Sequence, residues 1–455
     1  MSQKAGELAE IGLGNLFSLI GESLNGIEGK FKEIDFLGLE VHGAEVAKKF
    51  GQYYLQLVTN LALAKKMNSK AVCCEKCKKS MELNKTDAVR FLQTPYGEVA
   101  IKSDYFYCRA CKIYCRLADK KFDIGETEES PALQEKISLF AKDYPFERAS
   151  EMLKRTMNIN VSPSKVRVVA ESKGEELQEE IEKSVEKMRL NEKKSGKKPA
   201  LLAEEKTIET LYLEVDGSMV PLQKEWKEAK LVVSFEQKDR ATTGNKDRPI
   251  LLNKNYTGKI ASIQEFEKYF EYHVKNYGVE KAKNLVLLAD GAEWIWNLAE
   301  RQLSPGRIEI LDYYHASEYA WDFAKKVFED ENKVNTVAST IEEKLLEATP
   351  NDAIDYIKSL DIDTQDAMKK TAYDTILGYY EKHSRRMEYK SYREQGFIIG
   401  SGAIEGGNKK VIQQRCKGSG MHWSIPGANS IIALRCQYEC NKWDEIKWGG
   451  YAKAA

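Results

Sequence analysis

The chain has 455 residues, room for about three domains of ordinary size, and its 42% hydrophobic content is that of a folded globular protein. With 70 basic against 70 acidic residues the formal charge is zero, so no chain-wide field steers it toward a polyanion and any nucleic-acid surface must be local. The start lacks the basic, apolar and small-residue regions of a secretory leader, and no apolar run approaches the roughly 18 residues needed to span a bilayer, so the expectation is a cytoplasmic protein with no membrane partner.

Residues 1–66 predict a helical arm, with Leu13, Phe17 and Ile20 and then Tyr54, Leu57 and Leu61 recurring at three- and four-residue steps. Such an arm can pack on a neighbour, pair two subunits or cap the next domain. Six of the nine cysteines then fall between Cys73 and Cys115, which in a reducing compartment points to metal ligation more than to disulfides. Within 67–125, Cys74-x2-Cys77 and Cys108-x2-Cys111 form two knuckles that suit one structural Zn2+ in a zinc ribbon, each turn offering two thiolates. Cys73 and Cys115 are spare sulfurs, either of which could replace a neighbour.

Residues 126–186 predict helices in which 146–157, a short turn at 158–161 and a helix capped by Ser162 follow the helix-turn-helix plan, with Pro163 in the first turn and Lys165 and Arg167 offered to DNA. Plain helical bundles share that pattern. The lysine-rich stretch 187–206 loses its apolar period and reads as a linker.

From 207 the period changes. Leu211, Leu213 and Val215 alternate into Asp216-Gly217, a second strand is expected at 230–235 and a third near 248–252, then a helix at 263–277. A buried strand at 284–289 ends at Asp290-Gly291, followed by a helix at 292–302 and a short strand at 308–311. This order is the ribonuclease H-like plan within the α/β class, in which the first and fourth strands are neighbours. Its first part is 207–316; an acidic helical insertion occupies 317–395; and the last part, 396–455, opens with a helix presenting Glu405 and includes a C-terminal helix.

Two acids at matching strand ends and a third at a helix start supply hard oxygen ligands for two Mg2+ or Mn2+ ions, which can activate an attacking oxygen and neutralise a departing one without a histidine or covalent nucleophile. Any single Asp-Gly pair is more often a turn. Between Gly406 and Cys436 five basic side chains and no acid are interleaved with glycines. Lys409, Lys410, Arg415 and Lys417 could track a phosphate backbone and Trp423 could stack on a base, or Trp423 could belong to the core. Asp312 and His315 could support the acids from behind. Trp294 and Trp296 straddle a helix, one of them expected in the core, and Cys416, Cys436 and Cys440 read as buried thiols rather than a second metal site.

The run Ala289-Asp290-Gly291-Ala292-Glu293-Trp294-Ile295-Trp296-Asn297, then Leu311-Asp312-Tyr313-Tyr314-His315-Ala316-Ser317-Glu318, resembles the ISKra group of insertion-sequence transposases. Gly400-Ser401-Gly402-Ala403-Ile404-Glu405, the run from Gln414 to Trp423 and Val215-Asp216-Gly217 are similar to the same group's motifs. The likeness covers about 207–436, and the ribbon ahead of it is also similar. It implies that Asp216, Asp290 and Glu405 are a DDE triad and that the helices before Glu405 match the insertion of Mutator-like transposases. The sequence departs at Gly406-Gly407-Asn408, where a small residue and then cysteine are expected. The implied partners are double-stranded DNA, as element ends and target, and further copies of the chain on that DNA, in a nucleoid setting. The rivals are a non-enzymatic DNA-binding regulator derived from such an enzyme and a nuclease without strand transfer.

Overall fold

A computed structural model describes residues 3–29, 33–64, 72–195, 207–241 and 250–449. They divide into two compact units, one of residues up to Ala170 together with those from Glu445, the other Glu171–Asp444. Among the described residues no helix is long and apolar enough to cross a membrane.

In the first unit, helices α1 (Gln3–Glu28) and α2 (Phe36–Ala64) precede a three-stranded antiparallel sheet of β1 (Glu82–Thr94), β2 (Gly97–Cys108) and β3 (Ile113–Arg116). Strand β2 is the middle strand, but β3 covers only its last four residues. Helix α2 satisfies the remaining edge with amides one turn apart: Gln52 donates to Glu98 O, Ala100 N–H to Gln56, Asn60 to Ala100 O and Lys102 N–H to Asn60. Leu55 and Leu63 of the same helix pack on the buried Leu92, Val99 and Ile101, so α2 caps the ribbon.

Helices α3 (Leu117–Phe122), α4 (Pro131–Ala141) and α5 (Phe146–Met157) follow, then α6 (Pro163–Ser195). Asn158, left-handed at φ 52°, ends α5, and the Ser162 hydroxyl accepts from Lys165 N–H to begin α6. The expected boundary at 187 is corrected, because α6 continues to Ser195 and the division between units falls inside it. Glu179 with Lys183, Glu182 with Lys259 and Arg189 with Glu271 supply the pairings that an apolar stripe would otherwise provide. The rest of the expected linker, 196–206, lies outside the described residues.

The second unit is built on a five-stranded sheet. Its strands are β4 (Ile208–Pro221), β5 (Trp226–Glu236), β8 (Asn255–Ile260), β9 (Ala282–Ala289) and β10 (Ile308–Leu311), in the order β10-β9-β4-β5-β8. Strands β10, β9 and β4 run parallel, while β5 and β8 are antiparallel to their neighbours. Two-residue strands β6 (Arg240–Ala241) and β7 (Ile250–Leu251) pair with each other instead, so the expected third strand at 248–252 is corrected to β8.

Helix α7 (Ile263–Asn276) covers one face of the sheet, reaching it through His273, whose ring lies 2.9 Å from both the Ser234 and the Thr257 hydroxyls. Helix α8 (Glu293–Gln302) follows β9. Between β10 and the last helices lie α9 (Tyr313–Val327), α10 (Glu331–Glu347), α11 (Pro350–Ser359), α12 (Ala367–His383) and α13 (Tyr389–Glu394). The opposite face is covered by α14 (Gly402–Gly407), a π-helical stretch Asn408–Gln413, α15 (Gln414–Cys416) and α16 (Ile425–Glu439). Gly407 permits the close approach there: a Cβ on it would stand 2.7 Å from the Tyr256 ring and 3.1 Å from Leu231.

Burial pushes the His273 pKa down to about 3. An unfolded chain takes up that proton near pH 6.5 and the folded one only near pH 3, so stability is full above 6.5 and falls through this window by about 1.4 kcal/mol per pH unit. A His273→Gln variant is expected to show a shallower loss of urea midpoint between pH 6.5 and 4; an unchanged slope would contradict this account.

Candidate metal site and acidic cleft

The two cysteine knuckles have matched backbones. Lys78 N–H donates to Cys74 O at 2.9 Å and Lys112 N–H to Cys108 O at 2.8 Å, and both lysines are left-handed, at φ 59° and 55°. All four sulfurs of Cys74, Cys77, Cys108 and Cys111 lie within 4.8 Å of one another, with Cys77 and Cys108 3.6 Å apart. A tetrahedral zinc with bonds of about 2.3 Å needs sulfurs about 3.8 Å apart, so the four cysteines could hold a zinc ion. The Cys77 backbone amide draws the Cys74 pKa down to about 7, while hydrogen bonding to Cys77 and burial push Cys111 up to about 12. Thiols so crowded do not all ionise without a cation among them. Cys73 is exposed and Cys115 sits on β3 with its sulfur toward Arg116 O, so neither joins the set.

In the second unit the β4/β9 register pairs Thr210 with Asn284 and ends with Glu214 opposite Leu288. Asp290 follows the last residue of β9, whereas Asp216 lies within β4, which runs on to Pro221 against β5, so the expected strand end at Asp216 is corrected. Asp290 caps the turn that follows, accepting from Ala292 N–H at 2.9 Å. Gly291 stands at φ 96°, and the Tyr379 hydroxyl of α12 donates to Asp290 O at 2.8 Å while its ring stacks on Tyr319 at 3.8 Å. Asp216 accepts from Gly217 N–H at 2.6 Å and from Asn408 Nδ2 at 2.5 Å. Burial first, then the charge of Asp290, raise its pKa to about 6, against the pull of the Gly217 amide and His315.

Glu405 is exposed on α14, one turn before Asn408. The Ser401 hydroxyl stands 3.4 Å from Glu405 Oε1 and donates to Asp312 Oδ2 at 2.8 Å; Ser401 N–H also donates to Asp312. Asp312 is fully buried and caps α9 through Tyr314 N–H, so one carboxylate ties the end of β10 to the start of the helix that carries Glu405. Removing it as Asp312→Ala leaves those donors unmet and is expected to cost about 2–4 kcal/mol in chemical denaturation, against about 1 kcal/mol for Ser401→Ala. A double variant no less stable than Asp312→Ala would establish that the two share one network.

A cleft of about 460 Å3 is lined by Asp290, His315, Glu318, Tyr319, Asp322 and Tyr379. His315 is half exposed, 3.5 Å from Glu318. Asp216 and Glu405 do not line this cleft, and among the described residues the four cysteines are the group of three or more such donors close enough to share one ion. Asp216 and Asp290 thus feel each other's charge, Asn408 ties Asp216 to the helical stretch after Glu405, and Ser401 links Glu405 to Asp312, but the three acids do not form a closed cage. Asn408, Ser401 and Tyr379 were not read from the sequence; the only signal was the departure at 406–408.

Two residues assigned to DNA are corrected. Arg415 is 1% exposed beneath the Trp423 ring, 4.7 Å from its centre, and Trp423 is buried with its backbone bridged to Pro221 and Gln223. They close the core and offer no face to a base. Lys165 is paired with both Glu128 and Glu129, at 2.8 and 3.0 Å, while Arg167, Lys409 and Lys417 are exposed and Lys410 lies 3.8 Å from Glu439. Trp296 is buried under Arg386, Trp294 lies edge-on to Phe266, and Cys416, Cys436 and Cys440 are buried singly.

Fold and site define a two-unit α/β protein with a four-cysteine site that could hold zinc and an acidic cleft at the end of a mixed sheet. Residues 62–451 match an uncharacterised protein family, UPF0236, and the chain belongs to it. It is similar to a UPF0236 protein of Caldanaerobacter subterraneus subsp. tengcongensis, 26% identical over 257 residues, which are 54% of this chain and 50% of that one. Another from the same organism is 24% identical over 369 residues, 79% of this chain and 69% of the relative. The chain spans about half the length of the first of these relatives.

Proposed function

We propose that the chain is a DNA transposase that cuts the ends of its element and joins them to a target, with Asp216, Asp290 and Glu405 as its DDE carboxylates. The observation that carries the reading is Asp290, just past the end of β9, near enough to Asp216 within the neighbouring β4 for its charge to raise the Asp216 pKa, with Glu405 one turn from the Asn408 that is hydrogen-bonded to Asp216. The sheet order supports a ribonuclease H-like plan, with parallel strands on one side of β4 and antiparallel strands on the other. So does the block of helices α9–α13 ahead of Glu405.

Two neighbouring carboxylates, one with its proton affinity raised, suit Mg2+ or Mn2+ held by Asp216, Asp290 and Glu405. When bound, two such ions supply Lewis-acid activation of the attacking oxygen and neutralise the leaving one. The protein's own groups do the positioning: Asn408 orients Asp216, Tyr379 fixes the backbone of Asp290, and Ser401 with Asp312 sets the start of the Glu405 helix. The ribbon and the α5–α6 turn would hold the terminal repeats, with Arg167, Lys409, Lys410 and Lys417 against phosphates, as an oligomer on DNA.

The test is incubation of the purified chain with its element's ends in Mg2+ or Mn2+, with EDTA as control. Metal-dependent nicking followed by joined products is the expected result. Binding without cleavage would replace this reading with that of a DNA-binding regulator, and cleavage without joining with that of a nuclease.

A further inference from the structure

A second cavity in the same unit, of about 390 Å3, is bounded by Glu214, Arg240, Lys254, Tyr256, Gly406 and Lys410, and contains none of the three acids above. Its volume is in the range of small-molecule sites, about 300–1,000 Å3. Three observations give it a chemical character.

The first is Glu214, 1% exposed on β4: its Oε2 accepts from Ile404 N–H at 2.8 Å, whereas its Oε1 is buried with no hydrogen-bond partner. A buried acceptor left unmet is costly to the fold, so this position invites a donor from outside it. The second is the helix wall, where Gly402 and Gly406 stand four residues apart and a Cβ on either would meet nothing within 4 Å. Glycine inside a helix is less favourable than alanine, and here it leaves the wall open. The third is the pairing of aromatic sides with basic groups. Phe235 and Tyr256, each 2% exposed, form the floor of the cavity, one face of Phe235 being taken by Tyr212, while the half-buried Lys254, with Arg240 and with Lys410, itself 3.8 Å from Glu439, supplies basic groups.

A flat ring, a hydrogen-bond donor on its edge and an anionic tail satisfy all three. We propose that this cavity binds a single nucleotide, its amine-bearing base against Phe235 and Tyr256 and donating to Glu214 Oε1, its phosphate toward Lys254, Lys410 and Arg240. The nucleotide comes either from a DNA strand, unstacked from its neighbours, or from free solution. Only the first source rests on the transposase reading.

The full chain is titrated calorimetrically with dAMP, dTMP and inorganic phosphate, and by fluorescence anisotropy with labelled (dA)12 and (dT)12. The adenine probe is expected to bind about tenfold more tightly than its thymine counterpart, since only adenine carries an edge amine to donate to Glu214 Oε1. A preference seen with dAMP identifies free nucleotide as the source; one confined to (dA)12 identifies a strand. Gly406→Leu, which fills the open wall, should abolish the preference, and Glu214→Gln, which turns a donor toward the base, should shift it toward thymine. Lys254→Met, at the rim, should weaken adenine binding about tenfold and serves where a glycine variant melts early. Equal binding of the two bases, matched by inorganic phosphate alone, overturns the proposal, as does a preference that survives Gly406→Leu in a folded protein. Cleavage in Mg2+ is scored separately: cleavage without base preference defeats this inference alone, and base preference without cleavage defeats the transposase reading alone.

Discussion

Asp290→Asn is expected to leave the protein folded and able to hold DNA while lowering single-turnover strand cleavage on the order of 10^3-fold or more. The substitution keeps the oxygen that accepts from Ala292 N–H, so the turn after β9 stays capped, and keeps the backbone carbonyl held by Tyr379. What it removes is one negative charge beside Asp216, and with it an anionic oxygen for a divalent cation. Metal-based charge stabilisation is worth several kcal/mol, and each 1.4 kcal/mol is a factor of ten in rate. Cleavage by Asp290→Asn within tenfold of the unaltered chain would remove Asp290 from the chemistry. Asn408→Ala should be milder, because Asp216 keeps its charge and its bond from Gly217 N–H.

The second large effect concerns the cysteines. The protein purified without chelator is expected to carry one zinc per chain by elemental analysis, and Cys108→Ser close to none, whereas Cys73→Ser should leave the zinc in place. Structural zinc contributes apparent binding free energies of about 10–16 kcal/mol in small domains, far more than this three-stranded sheet and its small core can replace. Amide exchange in β1–β3 should therefore rise steeply in Cys108→Ser, while β4, β5 and β9, in the other unit, keep their protection. Full protection of β1–β3 in a zinc-free protein would rule out a metal-held ribbon.

The features legible in the sequence are those whose signals are local. The knuckles are legible because each is one tight turn with two thiols, and β9 because its buried apolar run ends abruptly at Asp-Gly; β4 begins where its apolar alternation does but runs through Asp216-Gly217 to Pro221, held by pairing with β5 that no local signal announces. The third strand is misplaced by such local signals: the apolar run at 250–252 looks more strand-like than Asn255-Tyr256-Thr257-Gly258-Lys259-Ile260. That segment is β8 because Gly258 leaves room for Leu231 and Ile432, a demand made by distant residues. Arg415 and Trp423 show the limit of reading charge as surface, since a guanidinium under an indole is a core element whose burial no local pattern announces. Tyr379 lies 89 residues from the carbonyl it holds. Asn408 looked like a defect in a motif and proves to be the donor to Asp216, so a departure from a familiar pattern can mark a contact rather than its loss.

The π-helical stretch Asn408–Gln413 bears on how relatives should be compared. Gln414 N–H reaches back to Lys409 O, one residue further than in an α-helix, and the buried Arg435 donates to the Lys410 carbonyl nearby. A turn of this kind holds one residue more than the α-helical turn it replaces. A lineage that never gained that residue would keep Glu405 and Cys416 in their places with one position fewer between them. Gaps in an alignment of this family should gather there, and a relative lacking the residue should also have less need for an arginine at 435.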